Sequence, residues 1–336
     1  MVKALVILAA GAAMAAGITP PPVQAEEVSR LAGRVGEPVL LVRHEPGPGP
    51  SVLFVHGATF PSALSISYRI NGQSWMDDLR SRGFDVWAFD FAGYGGSDSP
   101  PTMAADGPGV EVPGRAPDAA RQIERVVLHL LTGSRRDRVS IVAHSWGTIP
   151  AGLFAGRRPE LVERLVLFGP VSHRRGDAGE ALISGSYLVT AEEQRQSFAA
   201  GLPDGQPPLI DPAAFSLWVD AYLATDPQSR DRTPASVRVP SGWQADFRDA
   251  WSGRLPYDPA NVRAPTLIVR GEWDEIAKDE DAAWLVAALT GVLGGASDVK
   301  LPRGGHRMHL EQNREALFGA VGAFLTGPVI GTGNER

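Results

Sequence analysis

The sequence predicts an α/β fold in which a mostly parallel central sheet carries helices on both faces and an inserted, mainly helical lid. Short apolar runs rich in β-branched or aromatic residues recur along the chain, and stretches with apolar residues at helical spacing lie between them. Strands that alternate with helices are typical of a parallel sheet covered on both faces. The alternation stops near Ser172 and resumes near Ala264, which indicates an insertion between two strands.

The predicted strands are short runs of residues that favour extended backbone. They cover residues 38–42, 52–55, 84–89, 139–142, 165–168, 265–270 and 299–301. Between the third and fourth strands a helix is predicted over residues 119–131, with Gly133 as a stop signal. A further helix can start at Ile149, directly after the fourth strand and its turn.

The insertion, residues 173–263, differs in composition from the rest of the chain. Prolines interrupt it, and helical pieces are predicted over residues 191–200 and 213–223. We expect most of its aromatic residues to pack within the insertion and a few to face a substrate pocket. These residues are Trp218, Tyr222, Trp243, Phe247, Trp251 and Tyr257. The predicted organisation is a core of residues 26–172 and 264–325, the insertion as a lid, and a flexible tail over residues 326–336.

Composition excludes several classes of function. The net charge of −6, with 21% charged residues, provides no basic surface of the kind that neutralises nucleic-acid phosphates. The chain has no cysteine, so disulfides, thiolate nucleophiles and cysteine-bound metals are excluded. No histidine and carboxylate spacing indicates a metal site, so we predict an enzyme without a metal or cofactor.

The N-terminus has the features of a secretory signal peptide over residues 1–25. A positive start at Lys3 precedes an apolar run over residues 4–18 that is short for a membrane span, and small residues at 23–25 form a cleavage site. A cut after Ala15 is an alternative. The predicted location is therefore secreted or periplasmic, without a stable membrane span after cleavage.

Ser145 lies in a segment that suggests a nucleophile. It lies shortly after the strand predicted at residues 139–142, and it precedes a helix. A nucleophile elbow, G-x-S-x-G, needs small residues on both sides of the serine because strand and helix approach closely there. Gly147 fits this pattern, and Ala143 replaces the first glycine with one extra methyl group. A serine that caps a helix is the alternative explanation.

Other polar or small residues follow other predicted strands. Because ligands bind at the carboxyl ends of parallel strands, reactive residues are expected to gather there. In chain order these residues are His56-Gly57-Ala58, Asp90 with the glycine run at 93–96, Asp274, and Gly304-Gly305-His306. The order serine, acid, histidine is that of one hydrolase architecture and differs from the orders in chymotrypsin and subtilisin.

On these motifs the chain resembles the α/β-hydrolase superfamily with a lid domain, from about residue 39 to residue 324. The resemblance implies that Ser145 is the nucleophile, that His306 is the general base, and that Asp274 orients the histidine. It also implies that the backbone N–H groups of Ala58 and Trp146 form an oxyanion hole.

Alternatives remain for two of these roles. His309 competes with His306, although the Gly-Gly-His pattern favours the latter, and Glu272 and Glu275 compete with Asp274. We expect His144 to pack under the turn, and His56 to hold the oxyanion loop by a hydrogen bond. The glycine run after Asp90 serves backbone geometry, since the Gly-Lys-Ser/Thr ending of a phosphate loop is absent.

A serine nucleophile implies a covalent acyl-enzyme that water hydrolyses. Esters, lactones and amides are all eligible, whereas relatives that open epoxides or remove halides use aspartate at the elbow. Trp146 and the aromatic residues of the insertion suggest an apolar substrate of modest size. We therefore predict an exported serine hydrolase that cleaves carboxylic esters and, as a further option, lactones; its partner is a small-molecule ester.

Two other functions fit the sequence. A prolyl aminopeptidase-like hydrolase also has Ser-Trp-Gly at its elbow and would need acidic residues of the insertion to bind an amine; Glu192, Glu193 and Asp220 are available. An exported binding protein that kept the fold without activity is the second. An intact serine, aspartate and histidine argue against it.

Overall fold

The protein is built on one large sheet and a smaller one. The computed structural model describes residues 26–104, 111–132, 134, 136–176 and 183–328. The strands are β1 (Glu27–Leu31), β2 (Leu40–Glu45), β3 (Ser51–Val55), β4 (Asp85–Phe89), β5 (Val139–His144), β6 (Val162–Phe168), β7 (Ser186–Thr190), β8 (Ser236–Pro240), β9 (Thr266–Gly271) and β10 (Ser297–Leu301). The large sheet has the order β1-β2-β4-β3-β5-β6-β9-β10, and β7 pairs with β8 in the small one.

The large sheet is parallel except at one edge. Strands β4, β3, β5, β6, β9 and β10 pair in parallel, whereas β2 runs antiparallel to both β1 and β4. Every residue of β3, β5 and β9 is buried, which is typical of parallel strands covered on both faces. The predicted α/β class with a largely parallel sheet is confirmed.

Eight helices of the described ranges surround and extend the sheets. They are α1 (Trp75–Ser81), α2 (Ala116–Thr132), α3 (Thr148–Arg157), α4 (Ala191–Ala199), α5 (Pro212–Ala224), α6 (Gly242–Trp251), α7 (Asp279–Ala288) and α8 (Arg314–Thr326). Local sequence sets several starts. Ser74 with Asp77 forms a capping box at α1, and Thr190 with Glu193 forms one at α4.

Two hydrophobic clusters cover the two faces of the sheet. Side chains alternate along β3, so Leu53 packs with residues of α2 and α3 while Phe54 packs with residues of α1 and α8. The first cluster includes Ile123 and Leu153, and the second includes Phe318. The carboxyl ends of the parallel strands are thereby fixed at one edge of a rigid platform.

The structure adds elements that the sequence did not predict. All the predicted strands are present with shifted ends, but β1, β7 and β8 were missed. Strand β1 is an exposed, polar edge strand, and β7 with β8 forms an antiparallel pair inside the insertion. Helix α8 extends to Thr326, so the predicted tail starts too early. The predicted signal peptide and residues 329–336 lie outside the described residues.

None of the helices in the described ranges is both long and apolar enough to span a bilayer.

Candidate active site

Ser145 occupies a strained turn between β5 and α3. Its φ is +55°, in the left-handed region that non-glycine residues rarely adopt. The turn requires small neighbours. A Cβ on Gly57 would lie 2.9 Å from the Ser145 Cβ, and a Cβ on Gly147 would lie 2.3 Å from the His56 carbonyl oxygen. This local geometry is that of an elbow that points one side chain away from both strand and helix.

Ser145, His306 and Asp274 come together at the carboxyl edge of the sheet. The Ser145 hydroxyl lies 2.8 Å from His306 Nε2, and His306 Nδ1 lies 2.9 Å and 3.0 Å from the two Asp274 oxygens. All three residues are buried. The three side chains follow β5, β9 and β10, which are separated in sequence but end at the same edge.

The Asp274 carboxylate is held in its charged form. Burial alone would raise its pKa, but the charge and hydrogen bond of His306 lower it, as do hydrogen bonds from the backbone N–H groups of Ala277 and Ile276. The net pKa is below the usual value. Those two N–H groups lie 3.0 Å and 2.9 Å from Oδ1, so the carboxylate has fixed partners besides the imidazole.

His309 and Glu272 make their hydrogen bonds elsewhere, whereas Glu275 lines a cavity beside Ser145. His309 is in a short 3-10 turn, Met308–Leu310, and its Nε2 lies 3.1 Å from the Ser65 hydroxyl. His309 therefore precedes α8, which starts at Arg314. Glu272 accepts a hydrogen bond from the backbone of Arg303 at the surface. This geometry favours His306 and Asp274.

His144 connects the elbow to the histidine loop. It ends β5, and its Nε2 donates a hydrogen bond of 2.9 Å to the carbonyl oxygen of His306. Burial lowers its pKa well below the usual range, and the neighbouring His309 and His306 lower it further. His144 therefore stays neutral and packs under the turn, stacked on Phe168.

His56 fixes the loop after β3. Its Nδ1 donates a 2.7 Å hydrogen bond to the Gly57 carbonyl oxygen, and its Nε2 accepts one of 3.0 Å from the Phe91 N–H. The two bonds define one tautomer of a fully buried imidazole. The loop it holds brings Ala58 to the wall of the cavity that contains Ser145.

The glycine-rich turn after β4 is organised by Asp90. One Asp90 oxygen accepts hydrogen bonds from the backbone and hydroxyl of Ser62, and the other accepts from the Gly96 N–H. Gly93 and Gly95 adopt positive φ, so their role is backbone geometry.

The Trp146 side chain does not face the substrate side. It is 1% exposed, packs edge-on against Phe91, and donates its indole N–H to Asp246 Oδ2 at 2.9 Å. The sequence-based expectation that Trp146 adds apolar surface to the pocket is therefore wrong. The left-handed turn at Ser145 sends the two adjacent side chains in different directions.

Asp246 is a buried carboxylate that sequence reasoning missed. It lies on α6 within the insertion and accepts hydrogen bonds from Arg115 at 2.6 Å, from the Ala116 N–H at 2.7 Å, and from Trp146. Burial raises its pKa, although Arg115 and the other donors oppose that effect. Asp246 thus connects the insertion, the start of α2 and the residue after Ser145.

A cavity of about 280 Å³ opens on Ser145 and His306. The insertion contributes Tyr187, Trp243 and Phe247 to its walls. The other aromatic residues singled out in the insertion pack elsewhere: Trp218 and Tyr222 are fully buried and stacked, Trp251 lies against Phe247 and Arg174, and Tyr257 packs beside Gly152.

The acidic residues considered for amine binding are occupied or distant. Glu192 pairs with Arg195, and Asp220 pairs with Arg230, both at the surface. Glu193 lines the cavity, but its oxygens accept hydrogen bonds from the Tyr187 hydroxyl and from Thr190. Within the described ranges, no three histidine or carboxylate side chains converge as a metal-ion site.

Comparison with known proteins agrees with this fold. A sequence profile of the alpha/beta hydrolase fold family matches residues 50–312, and the chain belongs to that family. Epoxide hydrolase 2 from Siraitia grosvenorii is 32% identical over 123 residues, which are 36% of this chain and 32% of that protein. The matched region thus spans about a third of the relative's length.

Two solved structures are similar over nearly their whole length. E-2-(acetamidomethylene)succinate hydrolase is 22% identical with a TM-score of 0.59, and the alignment covers 90% of this chain and 100% of that one. A structure from a study of carboxylesterases of the thaumarchaeon Nitrososphaera gargenis is 13% identical with a TM-score of 0.62, covering 88% and 97%. At these identities the likeness shows the fold.

Proposed function

We propose that the protein is an exported serine hydrolase that cleaves carboxylic esters, and lactones as a related class, through an acyl-enzyme. The observation that carries the proposal is the continuous hydrogen-bonded row from the Ser145 hydroxyl through the His306 imidazole to the Asp274 carboxylate. Export rests on the sequence of residues 1–25.

In the first half-reaction the Ser145 oxygen attacks the ester carbonyl carbon while His306 Nε2 takes the hydroxyl proton. The imidazolium that forms is stabilised by Asp274, which already receives the Nδ1 hydrogen bond. His306 then gives the proton to the departing alkoxide, so the alcohol leaves and the acyl group stays on the serine.

In the second half-reaction His306 removes a proton from water, which attacks the acyl carbon and releases the acid. Both steps place negative charge on the carbonyl oxygen. We assign its stabilisation to the backbone N–H groups of Ala58 and Trp146. Each such donor contributes roughly 3 kcal/mol in sites of this kind.

The identity of the nucleophile argues against epoxide opening as the activity. The partly matched relative is an epoxide hydrolase, but relatives that open epoxides use aspartate at the elbow, and this chain has Ser145 there. The size of the cavity supports a substrate of modest size, and Phe247 and Trp243 supply apolar wall. We propose that the insertion acts as a lid over it.

Assay of the purified protein against matched small substrates tests the proposal. We expect turnover of short esters, weaker or no turnover of a proline arylamide and an epoxide, and covalent labelling by a fluorophosphonate. Ser145→Ala should lose ester turnover by a factor on the order of a million and lose labelling, while its unfolding curve stays unchanged.

Other outcomes identify the alternatives. Epoxide opening without ester cleavage, or wild-type turnover by Ser145→Ala, would overturn the proposal. Faster cleavage of the arylamide would support the aminopeptidase-like function instead. A protein that neither turns over esters nor reacts with the fluorophosphonate would be a binding protein.

A further inference from the structure

The loop that carries His306 contains turns but no helix or strand. It joins β10, which ends at Leu301, to the 3-10 turn Met308–Leu310, and Gly304 and Gly305 directly precede the histidine. Glycine has the widest choice of backbone conformation, so the sequence of the loop does not by itself fix where the imidazole lies. Contacts from the surrounding chain must therefore set the position of the base.

Two contacts on this loop act at different residues. The Gly304 carbonyl oxygen accepts a hydrogen bond of 2.9 Å from the Trp273 N–H. The second contact acts on His306 itself, whose carbonyl oxygen lies 2.9 Å from His144 Nε2. A carbonyl oxygen can only accept, and His144 Nδ1 has no hydrogen-bond partner in the described structure, so the proton of His144 is on Nε2.

The His144 imidazole is held by the sheet and by its neighbours. His144 is the last residue of β5, in which every residue is buried, and it pairs in register with Phe168 of β6. Its ring stacks on Phe168 with 4.6 Å between the centroids and packs edge-on against His309 at the same distance. A Cβ on Gly57 would lie 3.1 Å from His144 Nδ1, so the ring also abuts the loop after β3. The donor is therefore fixed independently of the loop that it contacts.

The hydrogen bond of His144 completes a closed ring of covalent and hydrogen bonds. A peptide bond joins His144 to Ser145, the Ser145 hydroxyl lies 2.8 Å from His306 Nε2, and the His306 carbonyl oxygen accepts from His144 Nε2. The backbone of the base is thus tied to the strand that carries the nucleophile. A displacement of about 1 Å between reacting groups can lower a rate about a hundredfold, so a contact that sets their separation bears on catalysis.

We propose that His144 is a positioning residue for the reaction: its Nε2–H holds the His306 backbone at the distance from Ser145 that proton transfer requires. His144 itself transfers no proton. This inference rests on the proposed function and adds a residue to the same site. A histidine that only satisfied a buried carbonyl group would stabilise the fold without setting the rate. The two roles therefore predict different results.

Three substitutions of His144 separate these roles. His144→Gln keeps an N–H donor near the place of Nε2, His144→Asn carries the same amide on a side chain one methylene shorter, and His144→Leu removes the donor. The rate constant of fluorophosphonate labelling and the kcat and KM for p-nitrophenyl acetate are measured. We expect His144→Asn and His144→Leu to lose at least about tenfold in labelling rate and kcat, with KM changed less than about twofold. His144→Gln should keep most of both rates.

His309→Leu is the matched control. His309 is a buried imidazole whose ring centroid lies 4.6 Å from that of His144, and its Nε2 also makes one hydrogen bond, with Ser65. Urea unfolding of each variant measures the loss of stability. We expect His309→Leu and His144→Leu to be destabilised to a similar extent, but only His144→Leu to lose rate. If His144→Leu does not fold, the comparison of His144→Gln with His144→Asn still decides, because these two differ by one methylene.

The outcomes separate this inference from the proposed function. Equal rates for His144→Gln and His144→Asn, or wild-type rates for His144→Leu, would overturn the inference while ester hydrolysis stands. An equal loss of rate in His309→Leu would also overturn it, because the loss would then follow from general destabilisation. If the wild type neither reacts with the fluorophosphonate nor cleaves p-nitrophenyl acetate, the proposed function itself fails.

Discussion

The proposed triad differs from its buried neighbours His309 and Glu311 in how the polar atoms are paired. Hydrogen bonds join the polar atoms of Ser145, His306 and Asp274 in one row, and two backbone N–H groups donate further hydrogen bonds to the Asp274 carboxylate. His309 and Glu311 each make one side-chain hydrogen bond and keep another buried atom without a partner. The triad is therefore oriented before substrate arrives, whereas the two neighbours act on the stability of the fold around it.

This difference corresponds to two physical requirements. Groups that stabilise a transition state act best when they are already oriented, because no reorganisation is then needed during the reaction. Buried polar groups outside such a row act mainly on stability, through their hydrogen bonds and their protonation. Changes in the paired row should therefore affect kcat, whereas changes at His309 and Glu311 should mainly affect the free energy of unfolding.

The largest expected effect comes from breaking the paired row at its centre. His306→Ala should lower kcat for a short ester by a factor on the order of a million, because Ser145 then has no base. His309→Ala is the comparison. It removes the hydrogen bond with Ser65 and should lower the free energy of unfolding by about 1–3 kcal/mol, with a much smaller effect on kcat. The reverse order of effects on kcat would show that His309 is the base.

The next largest effect should come from placing a methyl group against the hydrogen-bonded pair of His306 and Asp274. Gly169 has φ +54°, and a Cβ there would lie 2.9 Å from both Asp274 Oδ2 and His306 Nδ1. We expect Gly169→Ala to separate this pair and reduce kcat about a hundredfold, with KM little changed. Gly205→Ala is the control, since it has φ +79° and open space around the position of the new Cβ. Equal kcat in both variants would contradict the argument.

A smaller effect is expected at Asp246, which is bonded to Trp146 and not to the row itself. Asp246→Ala removes the acceptor of the Trp146 indole and should lower kcat about tenfold by loosening the backbone next to Ser145. Asp246→Asn keeps one carbonyl acceptor and should restore part of the loss. Asp249→Asn changes the other carboxylate bound to Arg115 and serves as the control. A loss confined to KM would indicate a role in the insertion alone.

The smallest effect on kcat is expected at Glu311, a half-paired carboxylate beside the loop that carries His306, whose contribution is to stability. Its Oε2 accepts from the Gly305 N–H at 2.7 Å and its Oε1 lacks a partner. Burial raises its pKa from 4.5 to about 7, although Gly305 and Arg307 oppose that effect. The folded state therefore binds this proton more tightly than the unfolded state, and stability falls as pH rises from 4.5 to about 7.

Urea unfolding near the two ends of that pH range measures the contribution. Glu311→Gln should remove up to about 3 kcal/mol of the decrease in the free energy of unfolding. Glu45, whose pKa burial also raises to about 7, contributes a decrease of the same sign that remains in the variant. Parallel curves for the wild type and the variant would show that the pKa of Glu311 is the same in the folded and unfolded states, which would contradict this prediction.

The sequence predicted the parallel sheet and the order of its reactive residues because both depend on local patterns. Apolar runs define the strands, and parallel strands must bring their carboxyl ends together. Position along the chain was therefore enough to bring Ser145, Asp274 and His306 to one edge. The same reasoning did not find β7 and β8. These two segments are short and partly exposed, and they form strands only by pairing with each other.

Contacts between distant parts of the chain were beyond the sequence patterns. Asp246 is 100 residues from Trp146, and no spacing rule connects them. Adjacency to Ser145 also failed to predict the direction of the Trp146 side chain, because that direction depends on the positive φ of the turn.

The insertion leaves and rejoins the sheet through neighbouring strands. Strand β6 ends at Phe168, which pairs in register with Val269 of β9. A different segment could therefore be grafted between these two strands without altering the platform, and such exchange offers a route by which one scaffold acquires new substrates. A successful graft would still have to supply a buried acceptor for the Trp146 indole, since the native one, Asp246, would leave with the exchanged segment.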